Sequence, residues 1–333
     1  MKRIIIIALI ASLWSCRGAV NSVSRPLLGT MVTVTFVADP EDAPSTGDAV
    51  FNEIARVEAL LSPVRPESDV SRLNRDGGAG PVALSRETYD LVARAVAISG
   101  ETDGSFDITF APLEPLWNYK NRNFVPPSSG AVAALLPRVG YEKLRLLPGR
   151  GAIAFDRAGM RIGLGGVGKG YAVEKGIAVL RKRGIEAGIV TAGGDLQVMG
   201  TKFGRPWVTG LRDPRRDAII LTLGLEDGDA ISTSGDYERF VMHDGVRYHH
   251  ILDPRTGYPA TGFCSVSVLS KSSPLSDAYA TAIFVMGPER AREFLERHSE
   301  IGVILVDMKE KLSISKKLKE RISMLEQRSI TWL

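Results

Sequence analysis

Two hydrophobic periods run through this sequence without alternating strictly, and that mixture limits the architectures open to it. Met31-Val-Thr-Val-Thr-Phe36 repeats every second residue and predicts a half-buried strand. Val50, Ile54, Val57 and Leu61 then recur at helical spacing after a Pro/Ser/Thr/Gly stretch, and Pro63 and Pro66 stop that helix. A second helix is predicted over Tyr89, Val92 and Val96 with Gly100 as its cap, and a third carries Val173, Ile177 and Leu180 on one face and ends at Gly184. Strands are expected at Ile189-Val190, near Ala218 to Leu225, and at Phe240 to Met242, Phe263 to Leu269 and Val303 to Val306. Between Pro112 and Gly151 the pattern is irregular, with an exposed loop at Pro126-Pro-Ser-Ser-Gly130. Strands in runs, mixed with packed helices, favour α+β over a doubly wound sheet. At 333 residues, with 44% hydrophobic and 24% charged, the chain can bury such a core, and no repeat or internal boundary divides residues 27–333, which read as a single domain.

The N-terminus is read as an export signal. Lys2 and Arg3 precede the apolar run Ile4 to Trp14, which is too short to span a bilayer as a mature helix. The run ends at Leu13-Trp-Ser-Cys16, which resembles a lipoprotein cleavage site with Cys16 as the lipidated residue. Residues 1–16 are therefore expected to be a lipoprotein signal peptide and 17–26 a tether. The expected location is the periplasmic side of a bacterial inner membrane, held by a lipid anchor. Only Cys264 then remains, which excludes a disulfide framework; within a strand-like run it reads as a small buried hydrophobe. The charge is nearly balanced, 42 basic against 38 acidic residues, and no basic block with interleaved aromatics suggests nucleic acid. The lysine-rich tail from Lys309 to Arg321 reads as a solvated face, with membrane contact as the other option.

Three clusters carry chemistry. Gly163-Leu-Gly165-Gly166-Val-Gly168-Lys169-Gly170 opens a helix, where free amides and the helix dipole attract phosphate. It meets the G-x-G-x-x-G spacing, but nothing before it reads as the first strand of a dinucleotide fold. It also misses the nucleotide-triphosphate loop, because Gly170 stands where a hydroxyl must hold the metal. Asp277 and Thr281, four apart at the start of an apolar helix, turn their oxygens to one side; that pair suits magnesium and makes a poor zinc site. Taken alone, Asp277 reads equally as a helix N-terminal charge and Thr281 as a core threonine bonded back to its own helix. His249 and His250 precede the turn Asp253-Pro-Arg-Thr-Gly257; adjacent strand residues point to opposite sides, so at most one faces a given site, as a base or as a structural hydrogen-bonder.

In this order the segments resemble the ApbE family of FAD:protein FMN transferases, from about Leu28 to Gly287. The matching pieces are Leu28-Gly-Thr30, Arg65-Pro-Glu-Ser68 with Leu73-Asn74, Gly104-Ser-Phe-Asp107, Gly168-Lys-Gly-Tyr-Ala172 and Gly193-Gly-Asp195. They continue with Ser232-Thr-Ser-Gly-Asp-Tyr237, the His250 to Gly257 turn and Asp277-Ala-Tyr-Ala-Thr281. The resemblance implies an α+β, T-fold-like domain of mixed sheets with packed helices and an extended FAD in a cleft. It implies Mg2+ on Asp277, Thr281 and the carbonyl of Gly166, and cofactor contacts near Leu28, Ser105, Phe106, Asp107, Lys169 and Leu252. It places His250 at the family's motif histidine, and Leu28, Val64 and Gly163 where many members carry methionine, an aromatic residue and aspartate.

The activity so implied is magnesium-dependent transfer of FMN from FAD to a Thr or Ser hydroxyl of an exported protein, releasing AMP. Exported subunits of membrane electron-transport complexes are the expected acceptors. His250 is the candidate base because an unperturbed imidazole titrates near pH 6.5; Asp277 or a phosphate oxygen are the other options. With water as acceptor the same site would be an FAD pyrophosphatase. A flavin-binding lipoprotein without chemistry and a nicotinamide oxidoreductase are the competing classes; the intact Asp277/Thr281 pair argues against the first, the missing first strand against the second.

Overall fold

The period-two segment forms the strand Thr30–Ala38, with Val32, Val34 and Phe36 fully buried, in a computed structural model that describes residues 18–119 and 123–333. The expected signal peptide and Cys16 lie outside the described residues. Among those described, this strand belongs to a nine-stranded sheet. Its spatial order is Ala19–Leu27, Thr30–Ala38, Gly188–Ala192, Asp195–Met199, Ala230–Gly235, Phe263–Ser270, Gly302–Asp307, Leu312–Ile314 and Ile330–Trp332. Neighbours pair antiparallel except the last two.

The helices are α1 (Ala43–Leu61), α2 (Asp69–Asp76), α3 (Arg86–Glu101), α4 (Ser129–Leu135), α5 (Gly168–Lys182) and α6 (Ser273–Arg297). The predicted stripe Val50, Ile54, Val57 and Leu61 is buried on α1, and Val173, Ile177 and Leu180 on α5. α6 is broken at Gly287 (φ 71°) ahead of Pro288, so its apolar first half ends at Met286.

Alternation on the strands feeds two cores. Val303 and Leu305 enter the cluster under the helices, while Ile304 and Val306 face a second cluster with Leu221, Leu223 and Leu225. These last belong to a three-stranded sheet in the order Ile322–Met324, Ile219–Leu225, Trp207–Arg212. A third cluster joins Leu113, Trp117, Phe124 and Leu252 to the hairpin Phe240–His249 through the ring pair Trp117–Tyr248, whose centroids are 5.9 Å apart.

The structure departs from expectation at five places. Residues 17–26 are not a tether throughout: Ala19–Leu27 is an edge strand, with Ser22 and Ser24 bonded to Thr35 and Thr33 at 2.9 Å and Pro26 tolerated at the open edge. α1 begins inside the Pro/Ser/Thr/Gly stretch, where Pro44 sits in the first turn. α2 was hidden in its polar sequence; Ser68 caps it by accepting from the Ser71 N–H at 3.0 Å. Gly100 lies within α3, and the left-handed residues that end it are Asp103 and Gly104. The lysine-rich tail is more than a solvated face, since Ile314 and Leu318 are buried in the second core.

Candidate active site

The glycine cluster is drawn onto the sheet by close backbone approaches. Gly163 N–H donates to the Ile108 carbonyl at 2.7 Å, tying the loop to the segment that carries Ser105, Phe106 and Asp107. At Gly166 a Cβ would stand 3.1 Å from the Phe106 ring and 3.3 Å from Thr281 Oγ1, so the loop backbone and the threonine hydroxyl are neighbours. At Gly170 a Cβ would meet the Ser273 carbonyl at 2.4 Å. The start of α5 therefore lies against the start of α6, and Gly170 N–H donates to Asp277 Oδ2 at 3.0 Å. This contact explains why a hydroxyl residue is excluded there.

Lys169 sits between two buried carboxylates, 2.6 Å from Asp195 Oδ2 and 3.4 Å from Asp277 Oδ1. Burial would drive its proton off, but the charges of Asp195 and Asp277 outweigh that and hold it well above the ordinary lysine range. One ammonium does not compensate two carboxylates. Burial, and next the charge of Asp195, push the Asp277 carboxyl up to about 7 against the pull of Lys169. Thr281 Oγ1 lies 3.3 Å from Ser234 Oγ on the adjacent strand. Among the described residues no three His, Cys, Asp or Glu gather as a metal cluster. The groups that share this part of the wall are one carboxylate, one hydroxyl and the loop backbone at Gly166.

These groups open into a cavity of about 1290 Å³. Leu28, Ser105, Phe106, Asp107, Gly166, Lys169, His250, Leu252, Asp277 and Thr281 all line it, so the fold brings the candidate catalytic, cofactor and metal residues to one space. They do not all present free polar groups. Asp107 accepts from Thr109 N–H and Oγ1 and from Tyr141 N–H, at 2.7, 2.6 and 2.8 Å, and so braces its own wall. Ser105 Oγ and His250 Nδ1 are buried without a protein partner. Burial, and next the Arg239 charge, push His250 down to about 4, well below the value that suggested it as a base. His249 faces away, its Nε2 2.9 Å from the Ala260 carbonyl. Cys264 is buried, which pushes its thiol up to about 11.

Sequence reasoning missed Asp195 as a site residue, although it closes the Gly193-Gly194-Asp195 motif. It also missed Arg239, on the cavity rim beside Gly29, and the wall formed by Thr209 to Arg212. The sequence offers no signal for the last, because its residues are ordinary for an amphipathic strand.

Comparison with known proteins gives one answer. The ApbE family profile matches residues 28–305. An FAD:protein FMN transferase of Klebsiella pneumoniae is 31% identical, covering 92% of this chain and 95% of its own. One from Treponema pallidum is 29% identical over 98% and 96%. Among solved structures, the ApbE protein of Thermotoga maritima superposes with a TM-score of 0.84 at 33% identity, covering 91% of this chain and 99% of the other. The flavin transferase ApbE of Vibrio cholerae gives 0.82 at 29%, with the same coverage.

Proposed function

This chain belongs to the ApbE family and is an enzyme, and from that premise we propose that it moves FMN from FAD to a threonine or serine hydroxyl of another protein, in a magnesium-dependent reaction that releases AMP. The observation that carries this reading is the meeting of Asp277, Thr281, the Gly166 loop and Lys169 at the wall of a cavity large enough for an extended dinucleotide.

The donor set fits magnesium. Asp277, Thr281 and the Gly166 carbonyl are hard oxygens, few enough to leave positions for substrate phosphate and water. Two carboxylates already share one ammonium, so a pyrophosphate brought beside Asp277 would add like charge in a buried place. When bound, the ion supplies the positive charge that lets the anhydride break and the AMP phosphate leave.

The chain's own residues do the rest. The Lys169 ammonium holds phosphate oxygens, and Asp195 keeps Lys169 charged and fixed. His250, neutral at working pH and with Nδ1 free of a protein partner, takes the proton of the attacking hydroxyl. A new P–O bond to the acceptor forms as the bond to AMP breaks. With water in place of the hydroxyl, the products are FMN and AMP. Supplying the enzyme with FAD, magnesium and an acceptor should leave flavin fluorescence covalently on the acceptor in a denaturing gel; FAD bound but intact in every tube would point to a carrier.

We also propose export and lipid anchoring at Cys16, on the strength of the N-terminal pattern. Cell fractionation should find the protein with membranes and a Cys16→Ser variant released from them; equal membrane association of both would refute the anchor.

A further inference from the structure

At about 1290 Å³ the cavity exceeds the roughly 300–1,000 Å³ of a typical small-molecule pocket, which leaves room for a second reactant beside FAD. One wall is unlike the others. Thr209, Gly210, Leu211 and Arg212 line it, and they belong to the strand Trp207–Arg212 at the end of the three-stranded sheet. That strand pairs only with Ile219–Leu225 among the described residues, and none of Ile219–Leu225 lines the cavity. The cavity therefore lies along the strand's open edge. Gly210 has no side chain, so the backbone itself borders the space, and no backbone bond of Trp207–Arg212 reaches outside its own sheet. An open edge of this kind presents unpaired N–H and C=O groups to any extended chain laid beside it.

We propose that the acceptor protein offers its threonine or serine on an extended segment that pairs, as an added strand, with the open edge of Trp207–Arg212. The inference rests on the transfer reading above and adds how the second substrate is held. Main-chain hydrogen bonds would fix the register of the segment, and its alternate side chains would face the cavity, where a hydroxyl meets the phosphoryl group. Val208, 62% exposed, is on the outward face of the strand, next to where a paired residue would lie. Arg212 and Arg239 line the same rim with Glu238; Arg212 is paired with Asp217 at 2.9 Å, and Arg239, without an ion pair among the described residues, favours a neutral or acidic segment over a basic one.

The test uses the full chain with FAD, magnesium and a library of dodecapeptides bearing one central threonine between acidic flanks. Flavin on peptide and AMP release without peptide are read separately. Wild-type protein should label peptides, and N-methylation of the backbone amides around the threonine should cut labelling by about tenfold. Val208→Asp should cut labelling of these peptides by about twofold to fivefold, because like charges would then face each other across the added strand. AMP release without peptide should stay within about twofold of wild type, since no acceptor is involved. Labelling indifferent to both changes would overturn the proposal, as would AMP release with no peptide labelled, which would indicate a folded docking surface. A wild-type chain that releases no AMP would instead sink the transfer reading, and this proposal with it.

Discussion

The imidazole at position 250 is buried, lacks a protein partner at Nδ1 and has Arg239 bonded through its carbonyl to the His250 N–H at 3.1 Å. With its value pushed down to about 4, the ring is neutral across the physiological range and can accept a proton there. Protonation removes that capacity, so activity is lost as pH falls through the folded value. With magnesium bound, which holds Asp277 ionised, the kcat/KM profile should be flat from pH 8 to about 5, with an acidic limb near 4 and none near 6.5, and His250→Gln should cost about 10²–10⁴-fold at pH 7. An acidic limb near 6.5 that survives the substitution would remove His250 from the proton's path. Several residues of this site are legible in the sequence because they are close neighbours: Asp277 and Thr281 share a helix face, and Gly166 and Lys169 share a loop. The contact between Lys169 and Asp195 is not, because at 2.6 Å it joins α5 to a strand that only the completed sheet brings there. Nor is the bracing role of Asp107, which the family motif names but whose carboxylate is engaged by Thr109 and Tyr141.

Between elements, the closest approach that matters is α5 on α6 at Gly170. A methyl group there would press on the Ser273 carbonyl and the Asp277 Cβ, backbone and buried stem, neither of which can swing aside. Gly170→Ala should therefore cost about 1–3 kcal/mol in urea unfolding. It should also slow AMP release by about a hundredfold, since Lys169 and Asp277 would move apart; a variant of normal stability and rate would show that the two helices can separate freely. Elements with a strong period are readable from the residues alone, as Val50 to Leu61 on α1 illustrate. Those whose order comes from partners are not. Ala19–Leu27 is polar and exposed along most of its length and becomes a strand because Thr30–Ala38 offers it an edge, and α2 owes its start to one serine cap.

Across the whole molecule, the nine-stranded sheet is held by two cores, one under α1, α5 and α6 and one against Leu221, Leu223 and Leu225. Neither core depends on the oxygens of Asp277 and Thr281, so stability and metal binding should be separable. Chelation with EDTA should leave the far-UV circular dichroism unchanged. Adding magnesium should raise the melting temperature, by the equivalent of about 2.7 kcal/mol at a hundredfold excess over Kd. Asp277→Ala should lose that rise and keep the fold; unfolding on chelation would mean the ion is structural. The central claim is tested most directly by AMP release from FAD with the purified chain and an acceptor peptide, with and without magnesium, beside Asp277→Ala. The account predicts release that requires the metal and falls by at least about a hundredfold in the variant; release that proceeds equally in EDTA, or equally without the carboxylate, would contradict it.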